Sequence, residues 1–410
     1  MHLTFFGSSL VSSYWNGAAT YYRGLLRALA ARGHRITFCE PDAYGRQQNR
    51  DLATDPEYAR VIVYRSEEER DALLGHAFAE SDWVVKCSGV GVWDAELEAA
   101  VAERSGGEVC TAFLDVDAPA TLARIAADPG DPFRGCIPRY THILTYGGGP
   151  PVVEAYDRWE AQACTPIYNG LDPEEHRPLE RTGEPEFDLL FMGNRLPDRE
   201  ARVEEFFFRA AELCPQRRFA LGGEGWGDKA MPANVTYLGH IPTGRHNEVN
   251  ASARLVLNVH RDSMVRNGWS PATRMFEAAG AASCQITDAW QGIADFFEPG
   301  TEILVAEDGA AVARLVREVD DAAALKIGKA AHERALRQHT YAQRAALVDE
   351  ILRGTAVAGP HPGSPGLATP LPQGERGLKS GTETEVRQES VPPLPSWERG
   401  LGGEGSGGIR

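Results

Sequence analysis

Apolar runs of four to seven residues alternate with amphipathic stretches from the N-terminus to about residue 353. The first forty residues set the theme. An apolar LTFF (3–6) runs into the Gly/Ser/Asn loop GSSLVSSYWNG (7–17). Tyr22, Leu25, Leu26 and Leu29 then recur at helical spacing, Gly33 stops the helix, and RITFCE resumes an extended apolar pattern. This predicts a β-α-β unit with parallel strands and a right-handed crossover. Further strands are predicted at 61–65, 82–88, 108–117 and 142–150, the last entering a glycine turn. EEERDALLGHAFAE and ELEAAVAER read as the helices between them, and another helix begins near Pro119. PIYNGLDPEEHRP (166–178) reads as the exit from this half.

A second set of strands is predicted at 187–193, 218–226, 235–242, 254–260, 284–287 and 302–306. RVEEFFFRAAEL, RHNEVNASA and the stretch after residue 270 are its helices, with more through about residue 353. The pattern predicts an α/β protein of two Rossmann-like, doubly wound parallel-sheet domains facing a cleft. The boundaries fall at 1–178 for the first domain and 179–338 for the second. A helix over 339–356 is expected to pack back on the first domain. Residues 357–410 break the pattern. Glycine and proline supply 11 and 7 of the 50 positions from 361, and PLPQGERGL (370–378) recurs as PLPSWERGL (393–401). Such composition buries no core and predicts a disordered tail.

The formal net charge of −16 argues against nucleic-acid partners and anionic membrane surfaces, which need a basic face. An anionic ligand would have to be held by locally placed arginines. Seven cysteines lie at scattered positions with no Cys-x-x-Cys pair, so reduced cytoplasmic thiols are expected. No run of about 18 apolar residues suggests a membrane span, and MHLTFFGSSLVSS lacks a basic n-region.

In a doubly wound sheet, ligands bind beyond the carboxyl ends of the strands. Those ends in the second half are Gly193-Asn194-Arg195, Gly222-Gly223-Glu224, His260-Arg261-Asp262 and Asp288. In NGWSPATRMFEAAGAASCQITD (267–288), Ser270 is a candidate N-cap and Pro271 a candidate first helical residue. The helix mouth would then face the strand ends as an anion site. Arg274 sits one turn in and can fork onto a phosphate. Glu277, three residues later, can accept two hydrogen bonds from a vicinal diol such as a ribose. The same spacing also fits an ordinary amphipathic helix with a solvent-facing Arg–Glu pair. Arg261 and Arg266 are secondary phosphate candidates, beside their reading as surface or packing arginines.

The first half has candidates of its own at the cleft. Asn16 and Gly17 close the first strand–helix loop, where close backbone approach is expected. Asp115 and Asp117 lie at a strand's carboxyl end, where a carboxylate can act as general base. We read Asp117 as a helix cap and Asp115 as nearer the cleft. Tyr146-Gly147-Gly148-Gly149 is a further loop at the cleft. His34 and His142 read as structural. His260, ending a strand at the cleft, is the candidate catalytic histidine, against the default of a packed ring.

Taken together, YNGLDPEEHRP, FDLLFMGNRLPDR, RFALGGEGW, VTYLGHIP, LVLNVHRDSMVRNGWSPATRMFEAAGAASCQITD and FFEPGTEILV resemble group 1 glycosyltransferases of the two-domain GT-B fold. The spore-maturation (CgeB-like) branch is the most similar. The resemblance implies a nucleoside-diphosphate sugar as donor, held by the 179–338 domain, and an acceptor hydroxyl of unspecified class, entering from the 1–178 domain near Asn16 and Gly17. It implies that Glu277 holds the ribose and that Arg195 and Arg199 grip the diphosphate. Gly268 to Thr273, with Ser270 between them, would cradle donor sugar and phosphate. One position departs from the pattern: the classical group has a glutamate eight residues before the ribose-binding one, and here it is Trp269. No cofactor is implied. No catalytic metal is implied either, since helix dipole and arginines can stabilise the leaving diphosphate, although Asp115-Val116-Asp117 mimics a metal-binding pair. A nucleotide-sugar epimerase and a non-catalytic nucleotide-sugar-binding protein are the alternatives. A dehydrogenase is disfavoured, because no Gly-x-Gly-x-x-Gly follows the first strand.

Overall fold

The computed structural model describes residues 1–14, 16–180 and 183–354. The predicted tail therefore lies outside the described residues. Two fully parallel sheets dominate. The first holds β1 (His2–Phe6), β2 (Arg35–Pro41), β3 (Arg60–Tyr64), β4 (Trp83–Cys87), β5 (Cys110–Asp115), β6 (His142–Thr145) and β7 (Cys164–Pro166). Its strand order is 3-2-1-4-5-6-7. The second holds β8 (Phe187–Met192), β9 (Phe219–Gly222), β10 (Val235–Gly239), β11 (Ala253–Asn258), β12 (Cys284–Asp288) and β13 (Leu304–Ala306). Its order, 10-9-8-11-12-13, repeats the same winding. In each sheet the order reverses beside the first strand, between β1 and β4 and between β8 and β11. Such a reversal opens a crevice at the strands' carboxyl ends.

The strands form because their apolar runs are covered on both faces. Leu189, Leu190 and Phe191 in β8 are all fully buried, as a parallel sheet flanked by helices on both sides requires. Several elements carry little periodic signal and were not expected. These are β7, the helix Gly149–Arg158 behind its prolines, and the short helix Asp262–Asn267. The predicted helix over 202–213 forms, but with a π-helical segment at Glu204–Phe208.

The chain passes between the lobes twice. On the way out, Leu171 takes a hydrogen bond from Tyr341 N (3.0 Å) and gives one to His339 O (2.7 Å) on the way back. The returning helix Tyr341–Leu352 starts with a full capping box, Thr340 with Gln343. It lays Tyr341, Ala345, Val348, Ile351 and Leu352 onto the first lobe's core. Val348, Ile351 and Leu352 each contribute roughly 1.5–3 kcal/mol on leaving water. Its closest approach is to the helix Ala19–Ala31, where a Cβ on Gly24 would come within 2.2 Å of the Tyr341 ring. Among the described residues, no helix is long and apolar enough to cross a membrane, and all seven cysteines are free.

Candidate functional site

The reversal of strand order in the second sheet lies between the turns that follow β8 and β11. The turns after β8 and β9 pack closely: a Cβ on Gly223 would lie 2.4 Å from the Gly193 carbonyl oxygen. The helix Pro197–Val203 then starts on a proline. Its first turn sends Arg199 back to the turn, where it donates to the Asn194 carbonyl. Arg199 is only 4% exposed, and its Nε has no partner. Arg274, in the first turn of the helix Thr273–Gly280, is half-buried, and its Nη1 is buried without a partner. Burial, and then the charge of Arg274, pull the Arg199 guanidinium down to about 9. The two cations thus act on each other while each keeps a buried N–H donor unspent. An unsatisfied buried donor costs about 1–3 kcal/mol, so the arrangement becomes favourable when an anion occupies it.

One turn along the same helix, Glu277 is buried and accepts a bond at Oε2 from His246 Nδ1 (3.1 Å). Burial alone would raise its carboxyl. His246, His176 and Arg274 outweigh that and hold it at about 2. Sequence reasoning missed His246, which lies on the helix His246–Ala251, 31 positions away; no local pattern marks that pairing.

On the facing lobe, Asp117 meets Arg261 (Oδ2 to Nη1, 3.5 Å), and Arg261 Nε also reaches Asp198 (2.6 Å) in the second lobe. This chain of charges crosses the cleft beside Arg199, which Asp198 and Arg261 both influence. Burial first, and the nearby Asp115 charge, raise the Asp117 carboxyl against the pull of Arg261. Asp117 occupies the N-cap position of the helix Ala118–Ala127, but its side chain makes no capping bond.

The expectation that Asp115 faces the cleft is corrected. Asp115 is fully buried, and its carboxylate accepts from Ser88 Oγ (2.9 Å), Thr121 Oγ1 (3.0 Å), Asp117 N (3.1 Å) and Tyr156 OH (2.6 Å). Its oxygens are spent on holding the β4 and β5 loops together. His260 is likewise packed rather than free. It is 2% exposed, bonds Asp288 through Nδ1 (2.8 Å) and lies against the Trp290 ring. Arg195 does not join Arg199. It pairs with Glu200 (2.6 Å) and Asp228 (3.0 Å) at the surface.

The loop at 268–273 also differs from expectation. The helix begins at Thr273 with Ala272 at its cap position, so Ser270 and Pro271 precede it. Ser270 Oγ donates to the Gly268 carbonyl instead (2.9 Å). Gly268 and Trp269 have positive φ, and their amides are already bonded, to Met264 O (2.9 Å) and Gln291 O (2.7 Å). Thr273 Oγ1 bonds Asn169 of the first crossing (3.0 Å). Trp269 is a bolt between lobes: its carbonyl accepts from Gly148 N (2.7 Å) and its indole N–H donates to Asp295 (2.6 Å). The glycine loop at 146–149 thus meets the second lobe, as a Cβ on Gly149 would strike Trp269 at 2.6 Å. Farther off, Asn16 is buried and tied to Ser8, Ser9 and Ser12. Gly17 has nothing within 4 Å of a Cβ position, so no close approach requires its glycine.

A cavity of about 380 Å³ lined by Tyr168, Trp269, Phe296, His339 and Arg344 contains none of Arg199, Arg274 or Glu277. Its buried cation, Arg344, is already bonded to Asn169 O, Gln338 O and His339. The guanidinium pair, with donors unspent, is the better anion site.

Residues 199–350 match the family described as glycosyl transferase-like, a span that includes Arg199, Arg274 and Glu277. No curated protein matches the chain. Among solved structures, the chain is similar to sucrose-phosphate synthase from Thermosynechococcus elongatus, at 13% identity over 86% of this chain and 98% of that one, with a TM-score of 0.63. It is similar to HepE of Anabaena in complex with UDP and glucose, at 13% identity over 86% and 100%, TM-score 0.60. BGT of phage T4 in complex with its UDP-glucose substrate is similar at 10% identity over 87% and 100%, TM-score 0.56. At these identities the likeness establishes the fold: two parallel-sheet α/β lobes in the GT-B arrangement.

Proposed function

We propose that this GT-B protein is a cytoplasmic, metal-independent glycosyltransferase of the spore-maturation (CgeB-like) branch, moving a sugar from a nucleoside-diphosphate sugar to an acceptor hydroxyl. The observation that carries the reading is the guanidinium pair. Arg199 and Arg274 hold unpartnered, buried N–H donors where the second sheet reverses its strand order. Glu277 lies one turn from Arg274 on the same helix, where a carboxylate can accept from a ribose diol. The structural neighbours crystallised with UDP or UDP-glucose support a nucleotide-sugar donor. The net charge of −16 supports an acceptor other than nucleic acid.

Transfer then runs as follows. The acceptor oxygen forms a bond to the anomeric carbon as the bond from that carbon to the diphosphate breaks. Asp117, at the cleft with a raised carboxyl, takes the hydroxyl proton. The departing diphosphate carries its charge onto Arg199 and Arg274, which are fixed beforehand and need no reorganisation.

Calorimetry with UDP, GDP, ADP and TDP tests the donor reading: at least one should bind, and binding should persist in EDTA. Failure of all four sinks it. Product analysis separates the alternatives. Conversion of donor alone marks a nucleotide-sugar epimerase, and binding with neither transfer nor hydrolysis marks a non-catalytic protein.

A further inference from the structure

His246 sits between two groups that can only accept. Its Nδ1 lies 3.1 Å from Glu277 Oε2, and its Nε2 lies 3.2 Å from the Ile241 carbonyl. A neutral imidazole carries one N–H and satisfies one of them; both are satisfied only by the doubly protonated ring. The ring is about three-quarters buried, and the carboxylate it meets is more buried still, so neither bond is readily replaced by water. Glu277 Oε1 accepts no hydrogen bond among the described residues, so the bond at Oε2 fixes the carboxylate while leaving the other oxygen for a ligand.

We propose that His246 is a positioning residue of the nucleotide site, and that as an imidazolium it holds the Glu277 carboxylate turned to receive the cis-diol of a ribose. The inference rests on the donor reading above.

The charged groups around the ring agree on its state. Glu277 favours the cation and Arg274, on the same helix, opposes it. His176, from the first crossing, acts on Glu277. On the ring's own helix and just before it, Glu248 and Arg245 pair with each other at the surface (3.2 Å). Burial would lower the His246 pKa, but the Glu277 contact raises it above the ordinary 6.5. The sign follows. The bridge is complete below 6.5 and is lost as pH rises through the raised value, while Glu277, held at about 2, stays ionised throughout.

The test compares a ribonucleoside diphosphate that binds (UDP, GDP or ADP) with its 2′,3′-dideoxy counterpart. The two share the same phosphate titration, so the ratio of their affinities isolates the diol. In the native protein this ratio should fall on the order of tenfold as pH rises past the His246 titration, the scale of one charge-assisted hydrogen bond. In His246→Gln, whose amide donates but carries no titratable charge, the ratio should be lower and flat with pH. Inorganic pyrophosphate should bind both proteins equally, confirming that the variant is folded. A pH-independent ratio in the native protein, or an unchanged ratio in His246→Gln, overturns the assignment. If no diphosphate binds the native protein, the donor reading fails instead, which is a separate outcome. Should the variant not fold, the native pH profile alone decides.

Discussion

The two sheets share one winding order, yet their carboxyl ends are finished differently. In the first lobe the carboxylates there are spent on their neighbours, and Arg46, bonded to the Ser8 and Val90 carbonyls, keeps a lone Nε–H. Asp115 accepts four bonds, and Glu40 accepts from Ser9, Leu10 N and Gln47. In the second lobe, Arg199 and Arg274 influence each other and both have donors left over. Topology therefore sets where a crevice forms, and the hydrogen-bond balance within it decides which lobe waits for a ligand. A satisfied network gives a fixed wall; an unsatisfied cation pair gives a receptor for negative charge.

The sharpest break in this comparison is at Asp117, which belongs to the first lobe but looks across at the second. Asp117→Asn should lower transfer by about 10²–10⁴-fold, with donor affinity by calorimetry unchanged. Equal loss of both would return Asp117 to a purely electrostatic partner of Arg261. Next in size, Arg274→Ala or Arg199→Ala should weaken nucleoside-diphosphate binding by roughly 10–100-fold. Arg274→Ala, whose Nη1 is unpartnered, should leave the melting temperature without ligand unchanged, whereas Arg199→Ala also loses the bond to the Asn194 carbonyl and should lower it somewhat. A melting temperature that drops in ligand-free Arg274→Ala would show that the pair is structural. Asp115→Ala should do the reverse. Urea unfolding should reveal a loss of about 3 kcal/mol or more from orphaning Ser88, Thr121 and Tyr156, with donor affinity intact. The smallest effect is expected at Arg261→Ala. Its two partners are more than a third exposed, so melting should change by less than about 1 kcal/mol, and less again at high salt.

Much of the fold was legible because parallel strands buried on both faces leave continuous apolar runs, and these runs mark β1, β4, β8 and β11 plainly. Arg274 and Glu277 were legible for a similar reason, since three residues along a helix places them on one side. What the sequence hid depends on partners distant in the chain. Asp115 and Asp117 look interchangeable in FLDVDAP. The strand ends at Asp115, which turns inward to Tyr156, while Asp117 opens the next helix. Ser270-Pro271 carries the residue types of a helix start, but two positive-φ residues and contacts to Asn169 delay the helix to Thr273. Arg195 and Arg199 look like a pair. Glu200 and Asp228 claim the first, and the proline-started helix turns only the second inward. His246 reaches Glu277 only through the packing of two helices, which no spacing announces.

The doubled passage between the lobes carries a mechanical consequence. Leu171 and the residues around Thr340 are fastened to each other where the chain goes out and comes home. A single proteolytic nick in the exposed stretch at 177–180 would therefore leave both fragments joined, held by the returning helix seated on the first lobe. Only severing both spans would let the halves drift apart.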